Sequence, residues 1–238
     1  MGNTIRMIGI DLDGTLLPMD NDEFIKGYLG LIAKVAIPWG YTSPEETVAA
    51  LWKGVAAMVK NNGEMSNYEA FWKKFEEVLG RDCSEDIPKF DKFYANEFMQ
   101  LSSLCAPTPL AKDAVDTARK KAKYVILASN PVFPLVATEM RMGWTGLSPD
   151  DFDWITNYSN SGHCKPNPEY YRDILKRFDI NPEKCVMIGN DVKEDYLASK
   201  EVGVSSFIVT DYIINRENQK FDCPSGTYAD MIEYIKKL

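Results

Sequence analysis

The sequence predicts an α/β protein with a doubly wound parallel-sheet (Rossmann-like) core and an inserted α-helical segment. After residue 108, short runs of β-forming residues alternate with helical patterns, as they do where crossover helices join parallel strands. A matching apolar run lies near the start, at residues 7–10. Between that run and residue 107, strand-like stretches are missing and helical periodicity takes over. The early strand is therefore expected in the same sheet as the later ones, separated from them by a helical insert.

Within the insert, the helix with the most complete signals begins after Ser66. Ser66 and Glu69 have the spacing of a capping box, and Gly80 stands where a glycine commonly ends a helix. The apolar positions between them share one helical face: Tyr68, Phe71, Trp72, Phe75, Val78 and Leu79. We expect four or five helices in the insert, with two crossings into the core near residues 18–20 and 106–109.

The second half of the chain is predicted to alternate between helices and strands. A helix that opens at Thr108-Pro109 is followed by a strand at residues 124–128, and by a helix over 131–142 that Gly143 ends. Next come a strand near 152–155 and a helix with Asn167 as N-cap and Pro168 at its first position. The remaining elements are a strand at 185–188, a helix at 192–202, a strand at 205–209 and a C-terminal helix near 228–237. Connections of this length imply parallel neighbours.

Composition and charge disfavour several classes of function. The formal net charge is -8 and the pI is about 4.9, which argues against nucleic acid and anionic membranes as partners. No apolar run reaches the ~20 residues of a membrane span, and the N-terminal run lacks the features of a signal peptide. The five cysteines are dispersed without CxxC spacing, which favours reduced thiols and a cytoplasmic protein.

The segment that follows the first strand, Asp11-Leu12-Asp13-Gly14-Thr15, is the most informative in the chain. Two carboxylates stand one residue apart at the end of a hydrophobic strand, where Gly14 breaks the extended backbone. Ionised carboxylates in such a place are costly unless a cation or ligand compensates for them. Chemistry in open α/β sheets takes place at this carboxyl edge. The pair therefore predicts a functional site.

Three further stretches share this position at a strand end or in a loop of the same edge. They contain Ser129 in ASNP, Lys165 in HCKPNP, and Asp191 with Asp195 in IGNDVKED. Taken alone, each has an ordinary explanation, since a serine after a strand is usually a cap and a loop lysine is usually solvated. Because the carboxyl ends of parallel strands meet at one edge, we expect these side chains to converge with the two aspartates of the first strand.

These four motifs, in this order, resemble those of the haloacid dehalogenase superfamily. The resemblance runs from residue 7 to about residue 209, and the insert directly after the first motif resembles the family's type 1 cap. It implies a catalytic core formed by residues 1–18 and 108–238, with an α-helical cap domain at residues 19–107. The chain departs from many members in having Asn190, where they have Gly, before the metal-binding aspartate.

The resemblance assigns roles to the first and last motifs. It implies that Asp11 is the nucleophile, which forms an aspartyl-phosphate, and that Asp13 is the general acid and base. Mg²⁺ would be held by Asp11, the main-chain carbonyl of Asp13 and Asp191, which are oxygen ligands of the kind this ion prefers. Asp195 would support the lysine of the third motif, or a water on the metal, without touching the substrate.

The two middle motifs are expected to hold the phosphoryl group. The resemblance implies that Ser129 and the main-chain amide of Asn130 bind phosphoryl oxygens, and that Lys165 neutralises the nucleophile and the transferred group. Phosphate esters resist an anionic nucleophile, so positive charge at the site is a requirement of this chemistry.

An acid two residues after the nucleophile discriminates between the reactions of such a family. A departing halide needs no proton whereas a departing alkoxide does, so Asp13 favours phosphate chemistry over dehalogenation. The expected function is a Mg²⁺-dependent phosphohydrolase with a small phosphorylated substrate. Three alternatives stay open: a phosphomutase acting on a sugar phosphate, a non-catalytic binding protein on the same fold, and a phosphonatase that would use a cap lysine such as Lys53. No oligomeric state is predicted.

Overall fold

The strands of residues 4–238, the part of the chain that the computed structural model describes, form one sheet in which every neighbouring pair is parallel. They are β1 (Met7–Ile10), β2 (Tyr124–Leu127), β3 (Trp154–Ile155), β4 (Cys185–Gly189), β5 (Ser205–Val209) and β6 (Ser225–Gly226). Their order across the sheet is β3-β2-β1-β4-β5-β6. The chain winds away from β1 in one direction and then in the other, so the predicted doubly wound core is confirmed.

The α-helices lie in the long connection after β1, between the later strands and after β6. They are α1 (Asn21–Ala36), α2 (Pro44–Val59), α3 (Asn67–Leu79), α4 (Ile87–Ala95), α5 (Leu110–Lys121), α6 (Leu135–Trp144), α7 (Glu169–Phe178), α8 (Ala198–Glu201) and α9 (Tyr228–Lys237). A long 3₁₀ segment at Glu97–Leu104 follows α4, and a π-helical segment at Val192–Leu197 precedes α8.

Strand β1 is central and places the first motif. All four of its residues are buried, and Ile10 stands opposite Leu127 of β2 and Ile188 of β4. A strand covered on both faces needs the continuous apolar run that the sequence shows here. Because the winding direction reverses at β1, the carboxyl ends of β1, β2 and β4 border one crevice.

The segment between β1 and α5 contains α1 to α4 and adds no strand to the sheet. Its two ends meet side by side, since Met19 and Cys105 form an isolated antiparallel bridge. The Ala106 N–H also donates to the Pro18 carbonyl at 2.8 Å. The helical segment therefore leaves the α/β core and returns to it at one place.

A third contact joins this helical segment to the core at the start of α3. The Asn67 and Tyr68 amides donate to the carbonyls of Ser161 and Tyr158, both at 2.8 Å. The Asn67 side chain is fully buried and donates to the Pro131 carbonyl at 3.2 Å. The start of α3 is thus fastened to the loops that follow β2 and β3.

The helix that carried the strongest signals, α3, has the predicted ends. Ser66 and Glu69 form the capping box, and Gly80 follows the last turn with a left-handed φ of 68°. Elsewhere the boundaries differ from the predictions. The helix expected from residue 131 begins only at Leu135, because Pro134 occupies its N-cap, and the helix expected over 192–202 opens as a π-helix.

Two smaller differences concern strands and caps. The strand expected near 152–155 is reduced to Trp154–Ile155, and β6 was not predicted. The N-cap of α7 is Pro168, not Asn167, although the Asn167 side chain still accepts a hydrogen bond from the Glu169 amide at 3.0 Å. No helix in the described residues is both long and apolar enough to span a membrane.

Candidate active site

The turn after β1 depends on Gly14. Its φ of +78° lies in the left-handed region, and a Cβ at this position would clash with the side-chain amide of Asn190. Thr15 Oγ1 contacts the same amide group, donating to Asn190 Oδ1 at 3.2 Å. The Asn190 Nδ2 donates onward to the Tyr212 carbonyl at 2.7 Å. The first and last motifs are therefore joined by a hydrogen bond at the carboxyl end of β1.

Asp11 follows the last residue of β1 and is only 7% exposed. Its Oδ1 accepts from Lys165 Nζ at 3.0 Å, and its Oδ2 accepts a longer bond from Thr15 Oγ1 at 3.3 Å. Burial raises the pKa of Asp11 to about 7, because the attraction of Lys165 only partly offsets the loss of water and the nearby Asp195 and Asp13 add repulsion.

Lys165 is a buried cation between two carboxylates, not the solvated loop lysine of the ordinary explanation. Its side chain is 1% exposed, and Nζ donates to Asp195 Oδ1 at 2.6 Å as well as to Asp11. Burial opposes its charged form, but the two carboxylates hold the pKa of Lys165 well above its usual value. The other oxygen of Asp195 accepts from the Asp191 amide at 3.0 Å. Asp195 therefore holds Lys165 in place.

Asp191 caps the π-helical segment that follows β4. Its Oδ1 accepts from the amides of Lys193 and Glu194 at 2.8 and 2.9 Å. Burial raises the pKa of this carboxyl group, and those amide bonds lower it by less. With Oδ1 committed to the cap, Oδ2 is the oxygen that Asp191 can offer to a cation.

The loop after β2 carries Ser129 and Asn130. Ser129 is 3% exposed, and its carbonyl accepts from Thr156 Oγ1 at 2.7 Å and from the Tyr170 hydroxyl at 3.0 Å, which fixes the loop. Asn130 Nδ2 donates to both carboxylate oxygens of Glu194 at 3.0 Å. Burial raises the pKa of Glu194 to about 8.

Asp13 forms an ion pair that the sequence analysis did not foresee. Its Oδ2 accepts from the guanidinium of Arg141, on α6, and its Oδ1 is buried with no hydrogen-bond partner. Arg141 was missed because only the fold brings α6 to the end of β1. A signal existed, since Arg141 lies on the same helical face as the buried Ala137 and Thr138, and a buried arginine requires a carboxylate.

Glu194 was also missed. It stands one residue before Asp195, and the sequence analysis predicted an ordinary helix where the structure has the π-helical segment that contains both residues. The structure therefore adds Arg141 and Glu194 to the predicted residues and brings Asp11, Asp13, Ser129, Asn130, Lys165, Asp191 and Asp195 to the same sheet edge.

A cavity of about 590 Å³ opens between this edge and the helical segment. Asp11, Asp13, Ser129 and Asn130 line its core side, and Ile25, Leu29 and Trp52 line the other. Its walls carry six acidic side chains and two basic ones, so an anion would be repelled unless a cation entered with it. A smaller apolar cavity of about 60 Å³ adjoins it and shares the same three apolar residues.

The residues present are suited to a hard divalent cation. No group of three acidic, histidine or cysteine side chains within residues 4–238 is close enough to hold a metal ion by itself. The buried Asp11 and the partly buried Asp191 nevertheless have raised pKa values, because the loss of water outweighs the contacts that favour their charged forms. With the main-chain carbonyl of Asp13, they form an oxygen-only donor set of the kind that Mg²⁺ accepts together with waters.

The fold and the convergence of motifs define a family. The sequence model of the haloacid dehalogenase-like hydrolase family matches residues 5–203, and the chain belongs to that family. The resemblance noted from the sequence is thereby confirmed.

Two curated relatives share short aligned stretches with the chain. It is 29% identical over 87 residues to the glyceraldehyde 3-phosphate phosphatase of Methanothermobacter thermautotrophicus, which is 37% of this chain and 38% of that enzyme. It is 30% identical over 57 residues to the enzyme of the same name from Pyrococcus furiosus, which is 24% of each chain. The matches thus span well under half of either relative.

Solved structures resemble the whole chain. A phosphatase of this family from Thermococcus onnurineus has a TM-score of 0.57 at 16% identity, covering 97% of this chain and 98% of its own. L-2-haloacid dehalogenase from Xanthobacter autotrophicus has a TM-score of 0.60 at 13% identity, covering 99% and 100%. At these identities the likeness shows the shared fold and does not distinguish the two reactions.

Proposed function

We propose that this protein is a Mg²⁺-dependent phosphohydrolase that acts on a small phosphorylated metabolite through an aspartyl-phosphate on Asp11. The observation that carries the proposal is the buried cation beside the candidate nucleophile. Lys165, 1% exposed, donates to Asp11 at 3.0 Å and is held from its other side by Asp195 at 2.6 Å. A lysine fixed in this way neutralises an anionic nucleophile and the phosphoryl group that it attacks.

Charge at the site supports phosphate as the ligand only together with a metal. The acidic excess of the cavity walls would repel a phosphate dianion, and a bound Mg²⁺ would supply positive charge that offsets this repulsion. We propose Asp11, the Asp13 carbonyl and Asp191 as its protein ligands. Ser129 and the Asn130 amide then have the position to hold the remaining phosphoryl oxygens.

Asp13 supports phosphate ester cleavage over dehalogenation. It lines the cavity with Asp11, so its carboxyl group lies beside the candidate nucleophile, where a leaving group would be bound. In the proposed reaction Asp11 attacks phosphorus, and the leaving oxygen takes the electron pair of the broken bond and the proton of Asp13. Asp13 then accepts a proton from the water that cleaves the aspartyl-phosphate.

We propose residues 19–107 as a cap domain over a core of residues 1–18 and 108–238. The apolar side chains of Ile25, Leu29 and Trp52 face the cavity from this segment and would contact the leaving group. A cavity of about 590 Å³ suits a small metabolite, and the two relatives named as glyceraldehyde 3-phosphate phosphatases support a phosphorylated compound of that size. The five cysteines are free thiols in the structure, which supports a cytoplasmic location.

The test is a phosphate-release screen over sugar phosphates, nucleotides and acid phosphates with Mg²⁺, and again with excess EDTA. We expect release that requires Mg²⁺, that is lost in Asp11→Asn, and that is unchanged in Asp150→Asn, a control at an exposed aspartate outside the cavity. An isomer formed without free phosphate would replace hydrolase by mutase. Full activity in EDTA would overturn the role of the metal.

A further inference from the structure

The guanidinium of Arg141 is the most deeply buried charge that the proposed mechanism does not use. Its residue is 1% exposed, and within the described chain it forms its ion pair with Asp13. Arg141 does not line the cavity, so it has no access to the phosphoryl group. Burying an arginine is costly, and a charge placed beside a candidate acid catalyst calls for an explanation in terms of that acid.

Arg141 is held from several sides. Its Nε donates to the Ala137 carbonyl at 3.2 Å, and one Nη makes a longer contact with Thr138 Oγ1 at 3.4 Å. The guanidinium also stacks on the Phe133 ring, with Cζ 4.5 Å from the ring centroid. These contacts leave the guanidinium little freedom, so the carboxylate oxygen bonded to it is fixed as well.

The fixed donor determines which oxygen of the Asp13 carboxyl group is committed. A guanidinium only donates hydrogen bonds, so Asp13 Oδ2 accepts from Arg141. The other oxygen, Oδ1, is buried and has no hydrogen-bond partner within the described residues. Because Asp13 lines the cavity, the bond to Arg141 fixes the orientation of this carboxyl group at the cavity wall.

We propose that Arg141 is the positioning residue of the general acid: it fixes the orientation of the Asp13 carboxyl group beside the candidate nucleophile. The inference rests on the proposed phosphohydrolase function and deepens it. Proton transfer from Asp13 to the leaving oxygen matters most when that oxygen is a poor leaving group. Loss of Arg141 should therefore make turnover more sensitive to the acidity of the leaving group, which a purely structural role would not do.

The test uses a series of substituted phenyl phosphates, from 4-nitrophenyl to 4-methoxyphenyl phosphate, with the full chain and Mg²⁺. For Arg141→Met we expect kcat/KM, which reports the steps up to departure of the leaving group, to fall roughly 10- to 100-fold on the poor leaving groups and much less on 4-nitrophenyl phosphate. Arg141→Lys keeps the charge without the planar donor pair and should lie between Arg141→Met and the wild type. Arg172→Met, at an exposed arginine paired with Glu169, is the matched control and should leave the series unchanged.

A double-mutant cycle separates positioning from general damage. If Arg141 acts through Asp13, Arg141→Met should change kcat by less than about twofold in an Asp13→Asn background. The double variant removes both charges of the pair and so leaves neither of them buried alone. If Arg141→Met alone fails to fold, the same cycle is measured with Arg141→Lys in its place. Circular dichroism and thermal melting check the fold of every variant.

Two results would overturn the inference while leaving the proposed function intact. One is a uniform loss across the leaving-group series in folded Arg141 variants, and the other is a full further loss in the Asp13→Asn background. A wild type that releases no phosphate from any member of the series, nor from any compound of the metabolite screen, would instead overturn the proposed function and this inference with it.

Discussion

The carboxyl group of Asp11 combines two properties that conflict. As the proposed nucleophile it must be ionised, yet burial raises its pKa to about 7 against a usual value of 3.8. The folded state therefore binds this proton more tightly than the unfolded state, and the free energy of unfolding should fall as pH rises from about 4 to 7. Such a loss of stability in the metal-free protein is expected where a site binds a cation.

This conflict gives a prediction for Asp11→Asn, measured by denaturant unfolding in EDTA. Removing the ionisable group should stabilise the metal-free protein by about 1–3 kcal/mol more at pH 8 than at pH 5. Asp150→Asn is the control with no pH-dependent gain. A stabilisation no larger at pH 8 than at pH 5 would show that the ion pair with Lys165 outweighs burial.

Asp13 gives a second prediction at this scale. Asp13→Asn should lower kcat by roughly two to four orders of magnitude, the range for lost acid and base catalysis, while Mg²⁺-dependent binding of a phosphoryl mimic such as beryllium fluoride persists. Steady-state kinetics and calorimetric titration measure the two effects. Unchanged kcat would mean that the leaving group receives its proton from another residue.

Sequence reasoning found the residues whose position follows from the ends of strands. Asp11, Lys165 and Asp195 could be grouped because parallel strands share one edge, and the structure joins all three in one hydrogen-bonded chain. The pairings of Arg141 with Asp13 and of Asn130 with Glu194 depend on how α6 and the π-helical segment pack. Helical periodicity places Arg141 on the buried face of α6, but it does not identify the residue with which Arg141 pairs.

At the scale of elements, the start of α3 matters more than its strong local signals suggested. The capping box and the final glycine could be read directly, because both are local. The attachment of Asn67 to the core could not, since its partners lie about 60 or more residues away along the chain. The irregular opening of α8 was also invisible, because a π-helical segment has the same composition as an α-helix.

Asn67 gives a prediction for this attachment. Asn67→Ala removes the donor to the Pro131 carbonyl and the acceptor of one N–H of the Asn61 side chain, so it should reduce the free energy of unfolding by about 1–3 kcal/mol. It should also increase proteolytic cleavage at the crossings near Met19 and Cys105. Asn62→Ala, at an exposed position of the preceding loop, is the matched control. Equal stability of the two variants would show that the third contact contributes nothing.

At the scale of the whole molecule, we expect the core to carry out phosphoryl transfer and the helical segment to select the substrate. The segment adds no strand to the sheet and returns to the core beside its starting point, so a short linker could replace it. If residues 19–107 form a cap that selects substrates, their deletion should lower kcat/KM for the best metabolite found in the screen far more than for 4-nitrophenyl phosphate. Equal losses in a folded capless protein would make the segment a structural part of the core.

The central claim is that Asp11 carries the phosphoryl group during turnover. The direct measurement is acid quenching of the Mg²⁺-loaded protein during turnover of its best substrate, followed by proteolysis and mass spectrometry. We expect one phosphoryl group on the peptide that contains Asp11, and none there in Asp11→Asn or in EDTA. Phosphate release without a phosphorylated Asp11, or a phosphoryl group on another residue, would contradict the account.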